Sequence, residues 1–522
     1  MHFITGFDRQ QTALFPQSID ELIASDHPIR FLDQFIDTLN LAHFGFKDPS
    51  KQINGRPPYR PADLLKLYIY GYMNRIRSSR ALEKEYKRNI ELLWLIKGLA
   101  PDHNTIANFR KDNPQAIKKV FQETVRMAKN LNLIGGVLLA GDGTKLRAQN
   151  AKKNNYNERK IALHLAYITK KLAEYNAELA EADGDLKDEL AKKIDQHKQQ
   201  RTKYQEIQSE LEKTGEKQLS TSDPDSRQIM VRGLINEVAY NVQSTVDAKN
   251  KLPIAYEVTN QNDKNALSGM VKTATEVLGT SNFEAVFDKG YHNAEEIEKC
   301  HQMGVEVYVA IPKPASNAPD HAFNLSKMLY NAAQDTYECP AGQTLETNGN
   351  WYYKKSYRVK QYKTSHCKIC ALKSRCTKAK GGRIIERHEF AEALERNRQA
   401  IAQKPAVYHQ RQALVEHPFG TMKRAWGFDH IMTKKTIQHA SADVGLMFIA
   451  YNLKRIINSI GCKALMRILG DFSLFKSSIK HQNRLQLLFK PQKLFFERIQ
   501  KAMRILSQEL YFWRITCCRV GF

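Results

Sequence analysis

The chain has 522 residues, and its 80 Lys and Arg against 55 Asp and Glu give a formal net charge of +25. That length allows two or three domains with a sizeable core, and the charge favours a polyanionic partner, because each neutralised phosphate releases counterions. The first twenty residues show no basic region followed by an apolar one, the longest apolar run (VGLMFIAY) is too short for a bilayer, and eight cysteines are no disulfide scaffold. These features argue against an exported or membrane protein and lead us to expect a cytoplasmic one.

Residues 1 to about 130 read as all-helical. Leu64, Leu65, Ile69 and Tyr72, then Leu82, Tyr86 and Leu92, fall at helical spacing. Between the two helices lies NRIRSSR, where Ser78 or Ser79 can serve as N-cap, and Asp102 or Asn104 can cap a later helix that carries Arg110 and Lys111. Short helices with a basic turn between them predict a DNA-binding module over 1–130.

The texture changes near residue 134. GGVLLAGDGTKL predicts a short strand ending on Asp142. Glu237–Val246 and Leu252–Val258 form a hairpin pair, DKNALSGMVKTATEVLG a helix, NFEAVFD a strand ending on Asp288, AEEIEKCHQMG a helix and VEVYVAIP a last strand. An antiparallel start followed by strand–helix alternation is the order of a ribonuclease-H-like α/β fold, a mixed sheet flanked by helices, which we place at 134–460. Two insertions interrupt it. Residues 157–217, rich in Ala, Glu, Lys and Leu with a turn at ADGD, predict a helical hairpin with a mostly solvated face. Residues 313–395 predict a cysteine-containing subdomain, and 461–522 a basic tail.

Where the carboxylates fall on this sheet carries the chemistry. Asp142 and Asp288 end strands that the predicted order makes neighbours, so both would project side by side. Paired carboxylates repel unless a proton or cation neutralises them, and Mg²⁺ takes oxygen ligands while leaving positions for phosphate oxygens. A third carboxylate would complete a two-metal site. Glu416 is the candidate, lying between Leu414–Val415 and Pro418–Phe419 in a segment that is otherwise basic. If its helix resumes after Pro418, Glu416, Gly420 and Lys423 share one face.

GDGTKLRAQNAKKNN, FDKGYHN with the later YVAIPK, and VEHPFGTMKRAWGF resemble the three motif regions of bacterial insertion-sequence DDE transposases. RPPYRPADLLKLYIYGYMNRIRSSRALE and PDHNTIANFR are similar to the N-terminal domain of the same group. The resemblance implies Asp142, Asp288 and Glu416 as the acidic triad, holding two Mg²⁺ (or Mn²⁺) ions. It implies binding of double-stranded DNA at terminal inverted repeats, strand cutting there, and joining of the 3′ ends to target DNA. A homodimer in the synaptic complex and a nucleoid-associated, bacterial setting follow from it. Related transposases place Tyr, two residues, Arg, three residues, Glu, six residues and Lys around the last acid. Here Tyr408, Arg411, Glu416 and Lys423 depart by one extra residue before Glu416, a rotation of about 100° on a helix. A transposase-derived DNA-binding protein without catalysis is the alternative, and loss of an acid would mark it.

Other groups compete for these roles. Lys145, Arg147, Lys289 and Arg424 flank the acids and are expected to contact phosphates. Asp223 and Asp225 could replace a triad member, but Asp-Pro-Asp is more often a turn or cap; the nearby Arg227 could position DNA. Cys339, Cys367, Cys370 and Cys376 form C-x27-C-x2-C-x5-C, a spacing that admits a structural zinc, with His366 and His388 as spare ligands. Trp426 is expected in the core.

Overall fold

A computed structural model describes residues 18–47, 57–232, 235–312, 318–354 and 357–470. The readings of residues 1–17 and of the tail beyond 470 lie outside these residues. The chain up to Cys462 is one compact unit; Lys463–Phe522 is a second, whose described residues 463–470 are helical.

The N-terminal part is helical: α1 (Pro28–Thr38), α2 (Leu41–Phe44), α3 (Pro61–Met73), α4 (Ser79–Glu85), α5 (Ile90–Leu95), α6 (His103–Asp112) and α7 (Pro114–Asn130). Prolines start α1, α3 and α7, where their missing N–H costs nothing. Asp102 caps α6, its Oδ1 accepting the Thr105 N–H at 2.8 Å. Ser78 stands at the N-cap of α4, but its side chain makes no capping bond. Helix α3 is buried from Asp63 to Met73, so its Lys66 ammonium is matched by Asp33 at 2.7 Å and Asp37 at 2.6 Å.

The central strand is β1 (Leu138–Arg147). Beyond a short pairing of β2 (Asn155–Tyr156) with β3 (Leu219–Ser220) lie the long helices α8 (Glu158–Glu181) and α9 (Asp185–Thr214). They turn at the predicted ADGD and bury only a thin apolar seam of Ile161, Ile168 and Leu172 with Leu190, Ile194, Ile207 and Leu211. The main sheet continues with β4 (Arg227–Arg232), β5 (Ile235–Asp247) and β6 (Leu252–Thr259), then α10 (Leu267–Leu278), β7 (Glu284–Phe287), α11 (Ala294–Gln302) and β8 (Glu306–Val309). Its order is β4-β5-β1-β7-β8, with β6 also on β5. The β1–β5 and β5–β6 pairs are antiparallel, and β1–β7 and β7–β8 are parallel. One expectation is corrected: β1 does not end at Asp142 but runs to Arg147, because β5 stays paired with it from Asp247 to Ala239.

A second sheet follows, in the order β13-β12-β11-β10-β9. Its strands are β9 (Leu329–Asn331), β10 (Thr336–Glu338), β11 (Thr344–Lys354), β12 (Tyr357–Lys363) and β13 (Ile385–His388), with the short helix α12 (Lys373–Cys376) before β13. Met328, Tyr337, Leu345, Tyr362 and Ile385 form its small core. Helices α13 (Ala391–Gln403), α14 (Pro405–His409) and α15 (Arg411–Gly420) return the chain to the main sheet. There Leu414 and Val415 pack against Ala140, Val286 and Tyr308.

The last long helix, α16 (Ile437–Ile460), packs with α3, α6, α7 and β6. The rings of Phe121, Tyr256 and Phe448 meet there at 5.0–6.0 Å. Its Asp443 is fully buried and gathers groups from the N-terminal helices: the Tyr72 hydroxyl donates to it, and Arg110 Nη1 lies at 3.1 Å. Arg77 donates to the His430 carbonyl at 2.8 Å and stacks over Phe428. Arg77 and Arg110, expected in a basic DNA-facing module, are therefore only 6% and 4% exposed. A buried carboxylate needs those charges more than the surface does.

Candidate active site

Register builds the site. Ala140 pairs with Val286 across the parallel strands β1 and β7, so Asp142 and Asp288, each two residues further on, reach the same level side by side. Alternation along β1 puts Asp142 on the face of Ala140, which α15 covers. The strands can approach this closely because residue 141 is glycine: a Cβ there would sit 1.9 Å from the Phe287 ring. Asp288 follows β7 directly and caps a 3₁₀ turn, accepting the Gly290 N–H at 2.7 Å. It thus keeps the local turn role its Lys-Gly neighbours suggest while standing beside Asp142.

A third carboxylate joins them, and it is not Glu416. A Cβ on Gly290 would lie 2.9 Å from Asp288 Oδ1 and 3.4 Å from Asp263 Oδ2, and one on Gly143 would lie 2.5 Å from Asp263 Oδ1. Asp263 therefore borders β1 at Gly143 and the turn that follows β7. Lys145 donates to its Oδ2 at 2.9 Å, while Asn241 and Gln243 donate to its Oδ1 at 2.8 and 2.7 Å. Sequence reasoning missed Asp263 by assigning DKN to the following helix; the signal was a polar cluster, NQND, immediately after an apolar strand.

The electrostatics differ between these acids. Burial pushes the Asp142 carboxyl up to about 6; Arg411 and the Gly143 N–H oppose the shift, and Asp288 and Asp263 add to it. Burial also works against ionisation of Asp263, but Lys145, Asn241 and Gln243 outweigh it and hold that carboxyl below its ordinary range. Tyr291, fully buried, donates to Gln243 and is raised far above its ordinary value by burial and by all three carboxylates. The site is a desolvated cluster of negative charge only partly neutralised by Lys145 and Arg411.

Glu416 is exposed on α15 and accepts from Gln412 at 2.8 Å. Its neighbours Leu414 and Val415 lie on the sheet beneath the aspartates. Helix α15 runs through Pro418, and a π-helical segment, Thr421–Ala425, continues it. The wider turn alters the expected shared face of Glu416 and Lys423. Lys423 points at β1, donating to Thr144 Oγ1 at 2.9 Å and the Lys145 carbonyl at 3.1 Å. Arg411, displaced by one residue from the family spacing, nonetheless faces the site, with Nη1 3.8 Å from Asp142 Oδ2. Among the described residues, no three His, Cys, Asp or Glu side chains stand close enough together to hold a metal ion.

The remaining candidates divide. Lys289 and Arg424 are exposed, and Tyr408 is half-buried against His409. Arg147 is held by Asp429 at 2.5 Å. Asp223 and Asp225 serve the fold. Asp223 accepts from Tyr240 at 2.7 Å, and Asp225 accepts the Ile437 N–H at 2.8 Å at the start of α16. Arg227 pairs with Glu216 at 3.3 Å. Trp426, expected in the core, is only half-buried; it packs edge-on to Phe428 and near Tyr451. Cys339, Cys367, Cys370 and Cys376 are free thiols that line one cavity with Phe323, Met328 and Leu345. His388 instead accepts the Phe390 N–H and stacks on Tyr357.

Fold and site define a mixed α/β protein with a carboxylate cluster where Asp142, midway along β1, meets Asp288 at the end of the parallel strand β7. Residues 17–112 match the family model of a transposase domain (DUF772), and residues 338–457 match that of a transposase DDE domain. Together the two matches support an insertion-sequence DDE transposase. Glu416, Arg411, Lys423 and the four cysteines fall inside the second match, while Asp142 and Asp288 lie between the two. No curated protein matches the chain. Among solved structures, the cryo-EM piggyBac transposase synaptic complex with hairpin DNA matches at 10% identity with a TM-score of 0.31, covering 92% of this chain and 85% of that one. A likeness that small carries no argument. Among the described residues no helix is long and apolar enough to cross a membrane.

Proposed function

We propose that this chain cuts DNA at the ends of a mobile element and joins the freed 3′ ends to target DNA, with Asp142, Asp288 and Glu416 as the acidic triad. The observation that carries the reading is the β1–β7 register, which brings Asp142 and Asp288 together at one level. The strand order supports a ribonuclease-H-like sheet, antiparallel on one side of β1 and parallel on the other. The donor set suits Mg²⁺ or Mn²⁺: it is all oxygen, and Asp142 is desolvated beside like charges with too few cations to balance it. Two divalent ions held by Asp142, Asp288 and Glu416 would neutralise the phosphate and activate the attacking oxygen. Glu416 must move toward the aspartates for this, and α15 is the element that would carry it.

The chain's own residues supply the rest. Lys423, Lys145 and Arg411 bring positive charge to the rim of the acidic cluster, where a phosphodiester would lie. Arg411 and the Gly143 N–H favour the ionised form of Asp142. Lys289, Arg424 and Tyr408 are the outer contacts to double-stranded DNA, and Arg147 can join them by giving up Asp429. Two DNA ends must be held at once, which makes a homodimer the working form. The four cysteines around one cavity are the soft donor set that zinc takes. They do not stand at liganding spacing, so zinc would have to draw them inward, and metal analysis of Cys367→Ser beside the parent protein tests this.

Purified protein incubated with end-labelled terminal-repeat DNA and Mg²⁺ tests the main proposal, with Asp288→Asn in parallel. Strand cleavage by the parent alone is expected. Equal cleavage by both would sink the triad, and end-specific binding without cleavage by either would favour the binding-only alternative.

A further inference from the structure

The proposed triad leaves Asp263 without a role. Alternation along β1 puts Gly143 and Lys145 on the face opposite Asp142. Register sets Gln243 of β5 beside Gly143 and Asn241 beside Lys145, so these four positions form one patch. The Asp263 carboxylate lies over it. There is room only because residue 143 is glycine: a Cβ there would meet Asp263 Oδ1 at 2.5 Å and Gln243 Nε2 at 2.9 Å. Asp263 Oδ1 accepts from Asn241 and Gln243 at 2.8 and 2.7 Å, and Oδ2 accepts from Lys145 at 2.9 Å. This ion pair is sheltered, its side chains only 20% and 22% exposed. Gln243 in turn accepts from the Tyr291 hydroxyl, and Tyr291 belongs to the 3₁₀ turn that Asp288 caps. Asn265, two residues beyond Asp263, accepts from Asn293 at 3.0 Å and ties the loop to the chain just after that turn.

We propose that Asp263 is a positioning residue: it holds the Lys145 ammonium in place and, through Gln243 and Tyr291, fixes the turn after Asp288, so that Asp142 and Asp288 stand level for divalent ions. The inference rests on those ions being bound there. Only a carboxylate suits the place. Three donors converge on it, and an ionised carboxylate is acceptor-only, whereas an amide would turn its NH₂ against one of them. Loss of its charge would also release Lys145, a cation on a flexible four-carbon stem, to compete with metal for the remaining acids. The carboxylate's three hydrogen bonds are already made, and it lies across β1 from Asp142. It therefore orients the site rather than joining the ligands.

The test measures Mn²⁺ uptake by the full-length protein without DNA, read by electron paramagnetic resonance, for the parent, Asp288→Asn, Asp263→Asn and Tyr291→Phe. Asp288→Asn should lose the uptake, which assigns it to the aspartates. Asp263→Asn should bind Mn²⁺ about tenfold more weakly, the lower end of what groups that orient metal ligands contribute. Tyr291→Phe should weaken binding by a smaller factor. In cleavage of labelled end DNA, the Mg²⁺ concentration for half-maximal rate should rise about tenfold in Asp263→Asn, with the rate at saturating Mg²⁺ close to the parent's. A variant that is only less well folded would lose rate at every Mg²⁺ concentration. Where thermal melting shows Asp263→Asn unfolded, Tyr291→Phe decides. Parental Mn²⁺ affinity in Tyr291→Phe, or in a folded Asp263→Asn, overturns the positioning role and leaves the transposase reading standing. A parent that takes up no Mn²⁺, or an Asp288→Asn that keeps the uptake, overturns the metal reading and the positioning role together.

Discussion

Replacing Asp142 by Asn should stabilise the metal-free protein, although the same change should abolish cleavage. Burial and the adjacent carboxylates raise Asp142 from 3.8 to about 6. The folded state then holds a proton that the unfolded chain releases. Below pH 4 the residue is neutral in both states and costs nothing. As pH rises from about 4 to about 6 the unfolded state ionises first, so stability falls; above pH 6 the full penalty persists. The two-unit difference is worth about 3 kcal/mol at 1.36 kcal/mol per unit. The side chain is 28% exposed, so solvent trims this figure without removing it. Urea unfolding in EDTA should therefore show Asp142→Asn more stable than the parent at pH 8, with the gap closing toward pH 4. Mg²⁺ should raise the midpoint of the parent but not of the variant, because ions that bind only the folded state stabilise it. An Asn variant less stable than the parent at pH 8, or a gap independent of pH, would refute the picture of Asp142 as a desolvated anion awaiting a cation.

Further consequences follow from the packing. Asp443→Ala would leave Arg110 and Arg77 buried without their carboxylate, and urea unfolding should show a loss of about 3–5 kcal/mol. Gly141→Ala would press a methyl into the Phe287 ring and force β1 from β7; a loss of at least about 1–3 kcal/mol is expected, with cleavage lost as the aspartates separate. Arg411→Ala removes a cation that favours ionised Asp142, so the acid limb of the pH–rate profile should move to higher pH. A profile that keeps its position would detach Arg411 from Asp142.

Much of the main sheet was legible because its signals are local. Short apolar runs alternating with helical periods marked β5 to β8 and the helices between them, and the ADGD turn marked α8 and α9. That Asp142 and Asp288 lie side by side was legible from the strand order, which makes β1 and β7 neighbours, although only Asp288 stands at a strand end. The rest depends on partners far away in the chain. Nothing near Asp142 shows that β5 will keep β1 extended to Arg147. Arg77 and Arg110 looked like surface charge because their partner, Asp443, lies more than 300 residues later. Asp263 was hidden for the same reason: Lys145 and Gly290, which place it in the site, are distant in sequence. The π-helical segment after Gly420 has no periodic signature, so the turn of Lys423 toward β1 could not be read.

In the proposed reaction the Asp288 carboxylate holds a divalent ion during strand cleavage. Asp288→Cys replaces a hard oxygen donor with a thiolate, which Mg²⁺ binds poorly and Mn²⁺ binds better. Cleavage of labelled end DNA by this variant should be lost in Mg²⁺ and recovered in Mn²⁺, while Asp288→Ala stays inactive in both. Parental cleavage by Asp288→Ala in Mg²⁺ would contradict the account.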